Sequence, residues 1–155
     1  MTAQKTWTAG DVLTAADMNT YARGGQEMGY VSITASSASF TAVADISGLS
    51  VTWTAISTRA YELEFFGNVV STAAGDSIHV SITDSSNVQK ALAKSGSTSA
   101  TFSTQLACKA RLTGLSGSVT YKVRALRAGG ASGTCTIEAS ATAPAYFTVK
   151  DVGAA

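Results

Sequence analysis

Phe102-Ser103-Thr104-Gln105-Leu106-Ala107-Cys108-Lys109-Ala110-Arg111-Leu112 is the stretch that decides the fold class. Phe102, Thr104, Leu106, Cys108, Ala110 and Leu112 alternate with Ser103, Gln105, Ala107, Lys109 and Arg111. A period of two marks a strand with one buried face. Outward from this stretch the pattern recurs. Leu49, Val51 and Trp53 alternate with Ser50, Thr52 and Thr54, and Tyr61, Leu63 and Phe65 with Glu62 and Glu64. Ile78, Val80 and Ile82 alternate with His79 and Ser81, Val119, Tyr121 and Val123 with Thr120, Lys122 and Arg124, and Cys135, Ile137 and Ala139 with Thr136 and Glu138. Turn-rich segments fall between them at 73–76, 84–87, 95–97, 113–117 and 129–133. The spacing predicts eight or nine strands in an all-β, antiparallel β-sandwich over residues 28–155. A jelly roll is the first expectation and an immunoglobulin-like sandwich the second. Phe65-Phe66-Gly67 breaks the alternation and suggests a β-bulge.

The chain has 155 residues, 45% of them hydrophobic and 14% charged, with a net charge of +1. Ser, Thr, Ala and Gly make up more than half of it. Near-neutral charge argues against general nucleic-acid binding, which needs clustered Lys and Arg. Two Cys and one His cannot build a zinc site by themselves. No metal or cofactor is expected. No run approaches the ~20 apolar residues of a membrane-spanning helix, so membrane insertion is not expected. Lys5 is not followed by an apolar core of a secretory signal, so synthesis in the cytoplasm is expected.

The first 27 residues read differently. Thr14 and Asp17 form a variant capping box, with Leu13 and Met18 at the hydrophobic-staple positions. Gly24 and Gly25 end the pattern, which predicts a short helix over Thr14–Arg23. About ten residues are too few for a helix to stand alone in water. Met18, Tyr21 and Ala22 supply an apolar stripe for docking, and Trp7 sits in a polar arm ahead of it. Residues 1–27 are therefore expected to attach the chain to something else.

Candidate chemistry elsewhere is sparse. His79 is the only imidazole, with Asp76 and Asp84 near in sequence, but no G-x-S-x-G elbow is present. A solvated histidine on a sheet face is expected. Cys108 and Cys135 lie in apolar alternations and read as buried thiols, a cross-strand disulfide being the alternative. Glu62 and Glu64 are expected to pair with Lys122 and Arg124 if their strands adjoin. On the same condition Lys109, Arg111, Lys122, Arg124 and Arg127 would form one basic patch, suited to an acidic surface. Trp53 reads as core.

Trp7-Thr8-Ala9-Gly10-Asp11-Val12-Leu13-Thr14-Ala15-Ala16-Asp17-Met18-Asn19-Thr20-Tyr21 resembles a W-x-x-G-D-x-L-T-A-x-x-x-N motif. That motif opens tail, fibre and minor capsid proteins of tailed bacteriophages, especially phages of actinobacteria. Residues 145–153, Ala-Tyr-Phe-Thr-Val-Lys-Asp-Val-Gly, look like the family's usual ending. The resemblance implies a non-enzymatic virion subunit, commonly trimeric, with its N-terminal segment toward the particle. The attachment residues it implies are Trp7, Gly10, Asp11, Leu13, Thr14, Ala15 and Asn19, to which the stripe adds Met18 and Tyr21. The chain passes directly into a β domain instead of a fibre shaft. The expectation is thus a capsid decoration or minor capsid protein, a homotrimer on the major capsid protein or other virion proteins. Two rivals are a tail-tip or fibre knob binding a host glycan and a virion depolymerase.

Overall fold

The computed structural model describes residues 8, 10–12, 14, 25–130 and 133–155. Nine strands form two antiparallel sheets, and no helix occurs among the described residues. The strands are β1 (Gln26–Ile33), β2 (Ala44–Ala55), β3 (Arg59–Ser71), β4 (Ser77–Asp84), β5 (Gln89–Gly96), β6 (Thr104–Leu112), β7 (Gly117–Gly129), β8 (Cys135–Glu138) and β9 (Ala145–Ala154). One sheet runs β1-β9-β3-β6, with β8 also on β3, and the other runs β2-β7-β4-β5. β9 pairs with β3 from Arg59 to Phe66, and β8 pairs with it from Asn68 to Ser71. β8 and β9 are thus two lengths of one row, interrupted by residues 139–144. Counted as one strand, they leave eight strands in the order of a jelly roll.

The predicted alternation is what fills the space between the sheets. Leu49, Val51 and Trp53 of β2 and Ile78, Val80 and Ile82 of β4 face Leu63, Phe65, Phe147 and Val149, all buried. Each such side chain contributes about 1.5–3 kcal/mol relative to exposure. Trp53 is core, as expected, with its ring centroid 5.5 Å from that of Tyr61 and 5.4 Å from that of Tyr121. Gly29 lets β1 lie close over β2, because a Cβ there would overlap Val51 Cγ1.

One ion pair lies inside this frame. Arg59 Nε donates to both Asp151 carboxylate oxygens, at 3.1 and 2.8 Å, and a terminal guanidinium nitrogen donates to Oδ1 at 2.7 Å. The two residues are 4% and 1% exposed. Asp151 Oδ1 also accepts from the Gly153 N–H at 3.0 Å, and its backbone carbonyl accepts from the Gly25 N–H at 2.6 Å. The point where the chain enters the sandwich is therefore tied to this buried pair.

Several expectations change. The register of β3 with β6 is continuous from Tyr61 to Val69, so no bulge interrupts β3 at Phe65–Gly67 on that side. Burial keeps alternating, and Phe66 simply faces outward. A break in register falls in β2, between Asp45 and Ser50. β6 starts at Thr104 instead of Phe102, which is 58% exposed beyond Thr101, a residue with φ of 60°. β5 alternates weakly because its inward positions are only Ala91, Ala93 and Ser95. The predicted helix over Thr14–Arg23 lies, except for Thr14, outside the described residues.

Candidate functional site

Three of the expected attachment residues are described: Gly10, Asp11 and Thr14. Trp7, Leu13, Ala15, Met18, Asn19 and Tyr21 lie outside the described residues. The Asp11 N–H donates to the Thr8 carbonyl at 3.0 Å, which closes a turn. The Asp11 carboxylate accepts from the Thr8 N–H at 2.9 Å and from its hydroxyl at 3.1 Å. Gly10 takes the third position with φ of +102°, where a turn of this kind favours glycine. The G-D pair of the motif thus has a local cause: glycine permits the turn and aspartate fastens it. Thr8, Gly10, Asp11, Val12 and Thr14 are all exposed, Val12 by 80%.

The remaining candidates resolve plainly. His79 projects from β4 on the outer face, opposite Lys94 and Leu126. Burial, and then the charge of Lys94, lower its pKa below the usual histidine value. Asp76 is fully buried and accepts a short hydrogen bond from the Ser71 hydroxyl, so it does not serve His79. Cys108 and Cys135 are free and buried, and burial raises both thiol pKa values. Cys108 pairs with Phe65 and Cys135 with Ser71 along β3. That interval is about 20 Å at strand rise, well beyond the ~7 Å Cα limit for a disulfide.

The two conditional charge readings fail, because β3 and β6 share one sheet and β7 belongs to the other. Glu62 and Glu64 pair with Lys109, at 3.7 and 3.2 Å, and not with Lys122 and Arg124. Lys122 and Arg124 instead hold Asp45, at 2.6 and 2.7 Å. Lys109 and Arg111 lie on one sheet, Lys122 and Arg124 on the other, and Arg127 donates to the Gly133 carbonyl, so the five do not make one patch.

A groove that sequence reading missed lies on the outer face of the β1-β9-β3-β6 sheet. Tyr146 of β9 stacks on Phe66 of β3 at 5.5 Å and 22°, and on Tyr30 of β1 at 5.8 Å and 26°. This three-ring row borders a hollow of about 330 Å³ whose other walls include Asn68, Gln105 and Pro144. Asn68 and Ala143 also border a second hollow of about 300 Å³, reaching Glu138, Ser140 and Ser36. Asn68 pairs in register with Gln105 on one side and Glu138 on the other. The 139–144 excursion supplies one wall, closed on itself by reciprocal Ser140–Ala143 backbone hydrogen bonds of 3.0 and 3.2 Å. The signal was present: Tyr30, Phe66 and Tyr146 occupy outward positions of their strands, where alternation predicts polar residues.

Among the described residues no group of three or more His, Cys, Asp or Glu could hold a metal ion, and no helix is long and apolar enough to cross a membrane. No protein-family model and no curated protein matches the chain. Among solved structures it is similar to the CBM22-1 xylan-binding domain of Paenibacillus barcinonensis Xyn10C, at 11% identity and TM-score 0.37, over 86% of this chain and 99% of that one. It is also similar to the D431N mutant VP2 protein of infectious bursal disease virus, at 5% identity and TM-score 0.40, over 81% of this chain and 36% of that one. The Gx strain of that virus gives 11% identity and TM-score 0.36, over 82% and 36%. The chain thus spans about a third of the viral proteins' length. At these scores the likenesses say nothing about what the chain binds.

Proposed function

We propose that the chain is a non-enzymatic structural subunit of a tailed-phage virion, a capsid decoration or minor capsid protein held by residues 1–27. The observation that carries this reading is the contrast at the N-terminus. Every described residue before Met28 is exposed, and the core is built from strands that follow. The Thr8–Asp11 turn shapes the exposed Gly10-Asp11 pair of the motif, and Val12 beside it offers an apolar side chain to a partner. A homotrimer suits such an arm, because closed symmetric assemblies bury identical segments against one another. The shell would supply the docking surface, and the sandwich would face outward.

Cryo-electron microscopy of the intact virion tests the reading. Density for this chain on the capsid exterior is expected, clustered at three-fold or quasi-three-fold positions. Density at the tail tip would move the chain to the tail, and absence from the particle would overturn the proposal. Trp7→Ala and Leu13→Asp should reduce copies on the particle while the β domain of the full chain keeps its thermal transition. Loss of that transition in either variant would show that the segment belongs to the body and not to an attachment arm.

A further inference from the structure

We infer that the groove along Tyr30, Tyr146, Phe66, Asn68, Gln105 and Glu138 is a binding site for a neutral oligosaccharide. The inference is separate from attachment through residues 1–27, since it uses the opposite kind of feature, an open site on the body of the sandwich. Three observations carry it.

The first is the ring row. Tyr146 is the middle ring, in contact with an aromatic on each side, so free ring surface belongs chiefly to Tyr30 and Phe66. Tyr30 is 48% exposed. In register, Phe66 lies opposite Ala107, whose methyl group leaves room beside the ring. A pyranose presents a patch of C–H groups that lies well on such a surface, while its hydroxyls remain at the rim.

The second is hydrogen-bonding capacity without a partner. Among the described residues, the amides of Asn68 and Gln105 and the carboxylate of Glu138 make no hydrogen bond or ion pair within the chain. Each amide offers donors and acceptors together, and the carboxylate offers acceptors, the mixture that vicinal hydroxyls require. These groups stand directly beside one another across β6, β3 and β8. Two adjoining hollows of about 330 and 300 Å³ sit at the small end of ligand sites, roughly 300–1,000 Å³. Because they share the Asn68 and Ala143 wall, they suit a short chain of sugars laid across it.

The third is charge. The nearest cation on the sheet, Lys109, is held by Glu64 and Glu62. Glu138 adds negative charge at the far end. A phosphate, a sulfated glycan or a nucleic acid would meet no free cation in this groove among the described residues, and anionic ligands depend on such contacts.

The test uses the full chain against an immobilised panel of neutral gluco-, manno-, galacto-, arabino- and xylo-oligosaccharides. Heparin fragments and polyphosphate serve as anionic controls, and calorimetry follows for the sugar best retained. Wild-type protein should retain at least one neutral sugar. Phe66→Ala and Asn68→Ala should each weaken it roughly tenfold or more, a loss of about 1.4 kcal/mol. His79→Gln, on the other sheet, should bind like wild type. If Phe66→Ala fails to fold, Asn68→Ala and Gln105→Ala decide, since neither side chain makes a hydrogen bond within the described fold. Retention of anionic controls alone overturns the proposal. So does failure of every neutral sugar to bind at millimolar concentration, or unchanged binding in both Phe66→Ala and Asn68→Ala. Self-association that Phe66→Ala abolishes, with no sugar bound, would assign the groove to a second copy and equally overturn it. Particle localisation is read independently, so failure of one proposal leaves the other standing.

Discussion

The two sheets of the sandwich show solvent two different kinds of surface. On the β2-β7-β4-β5 sheet polar groups largely satisfy one another. Thr52 and Thr120 share a 2.7 Å hydrogen bond across the β2–β7 pair, Asp45 bridges Lys122 and Arg124, and Lys90 reaches Asp84 at 3.1 Å. On the β1-β9-β3-β6 sheet a ring row adjoins amides that have no partner within the described chain. The first surface is mainly a polar network, and the second sets an aromatic row and those amides beside the Lys109 ion pairs.

The buried pair Arg59–Asp151 and the exposed Asp45 pairs also differ, and that contrast gives the largest predicted effect. Arg59→Ala would leave Asp151 buried without its partner and should lower unfolding free energy by about 3–5 kcal/mol. Asp45→Ala removes an exposed pair and should cost only about 0–1 kcal/mol. Urea unfolding of both variants checks this, and similar losses would erase the distinction. Next in size is Gly29→Ala, which drives a methyl into Val51 where β1 crosses β2. A loss of about 1–3 kcal/mol is expected from such overpacking.

A smaller effect depends on pH. The Lys122 hydrogen bond, with help from Arg124, holds the Asp45 pKa below the ordinary aspartate value. The folded pKa is thus lower than the unfolded one. The stabilisation is present above the unfolded value and lost as pH falls through the folded one. The stability gap between wild type and Asp45→Asn should therefore close as pH drops below about 4. Smallest is His79→Gln. Burial and Lys94 disfavour the imidazolium, so the folded pKa again lies below the unfolded one. Wild-type stability should decline slightly as pH falls from about 7 to 5, and the variant should lack that slope in thermal melts.

Strand faces were legible in the sequence and strand neighbours were not. Leu49, Val51 and Trp53, or Ile78, Val80 and Ile82, announce a buried side through their period alone. Nothing in that period says that Glu64 meets Lys109 and not Lys122, because pairing depends on which sheet each strand joins. Phe102 misled because an apolar side chain extended the alternation past the strand into a turn. The Gly10-Asp11 pair was legible as part of a motif, but the turn it makes was not. The outward aromatics Tyr30, Phe66 and Tyr146 were visible one by one, but not the groove, since they come from three distant segments and meet only when β1, β9 and β3 lie side by side. Phe66 was read as an irregularity when it was an outward aromatic on a regular strand.

The interruption between β8 and β9 has a consequence for how such a molecule diversifies. Residues 139–144 leave the ladder and return to it, and β3 holds the chain on either side of the gap. Replacing or lengthening this six-residue excursion would alter no strand pairing, yet it would reshape a wall of the groove. Sequence drift is cheapest at a place where it reshapes the groove wall. A lineage carrying this fold could reshape this part of its surface by substituting a single short peptide, with the sandwich left as it is.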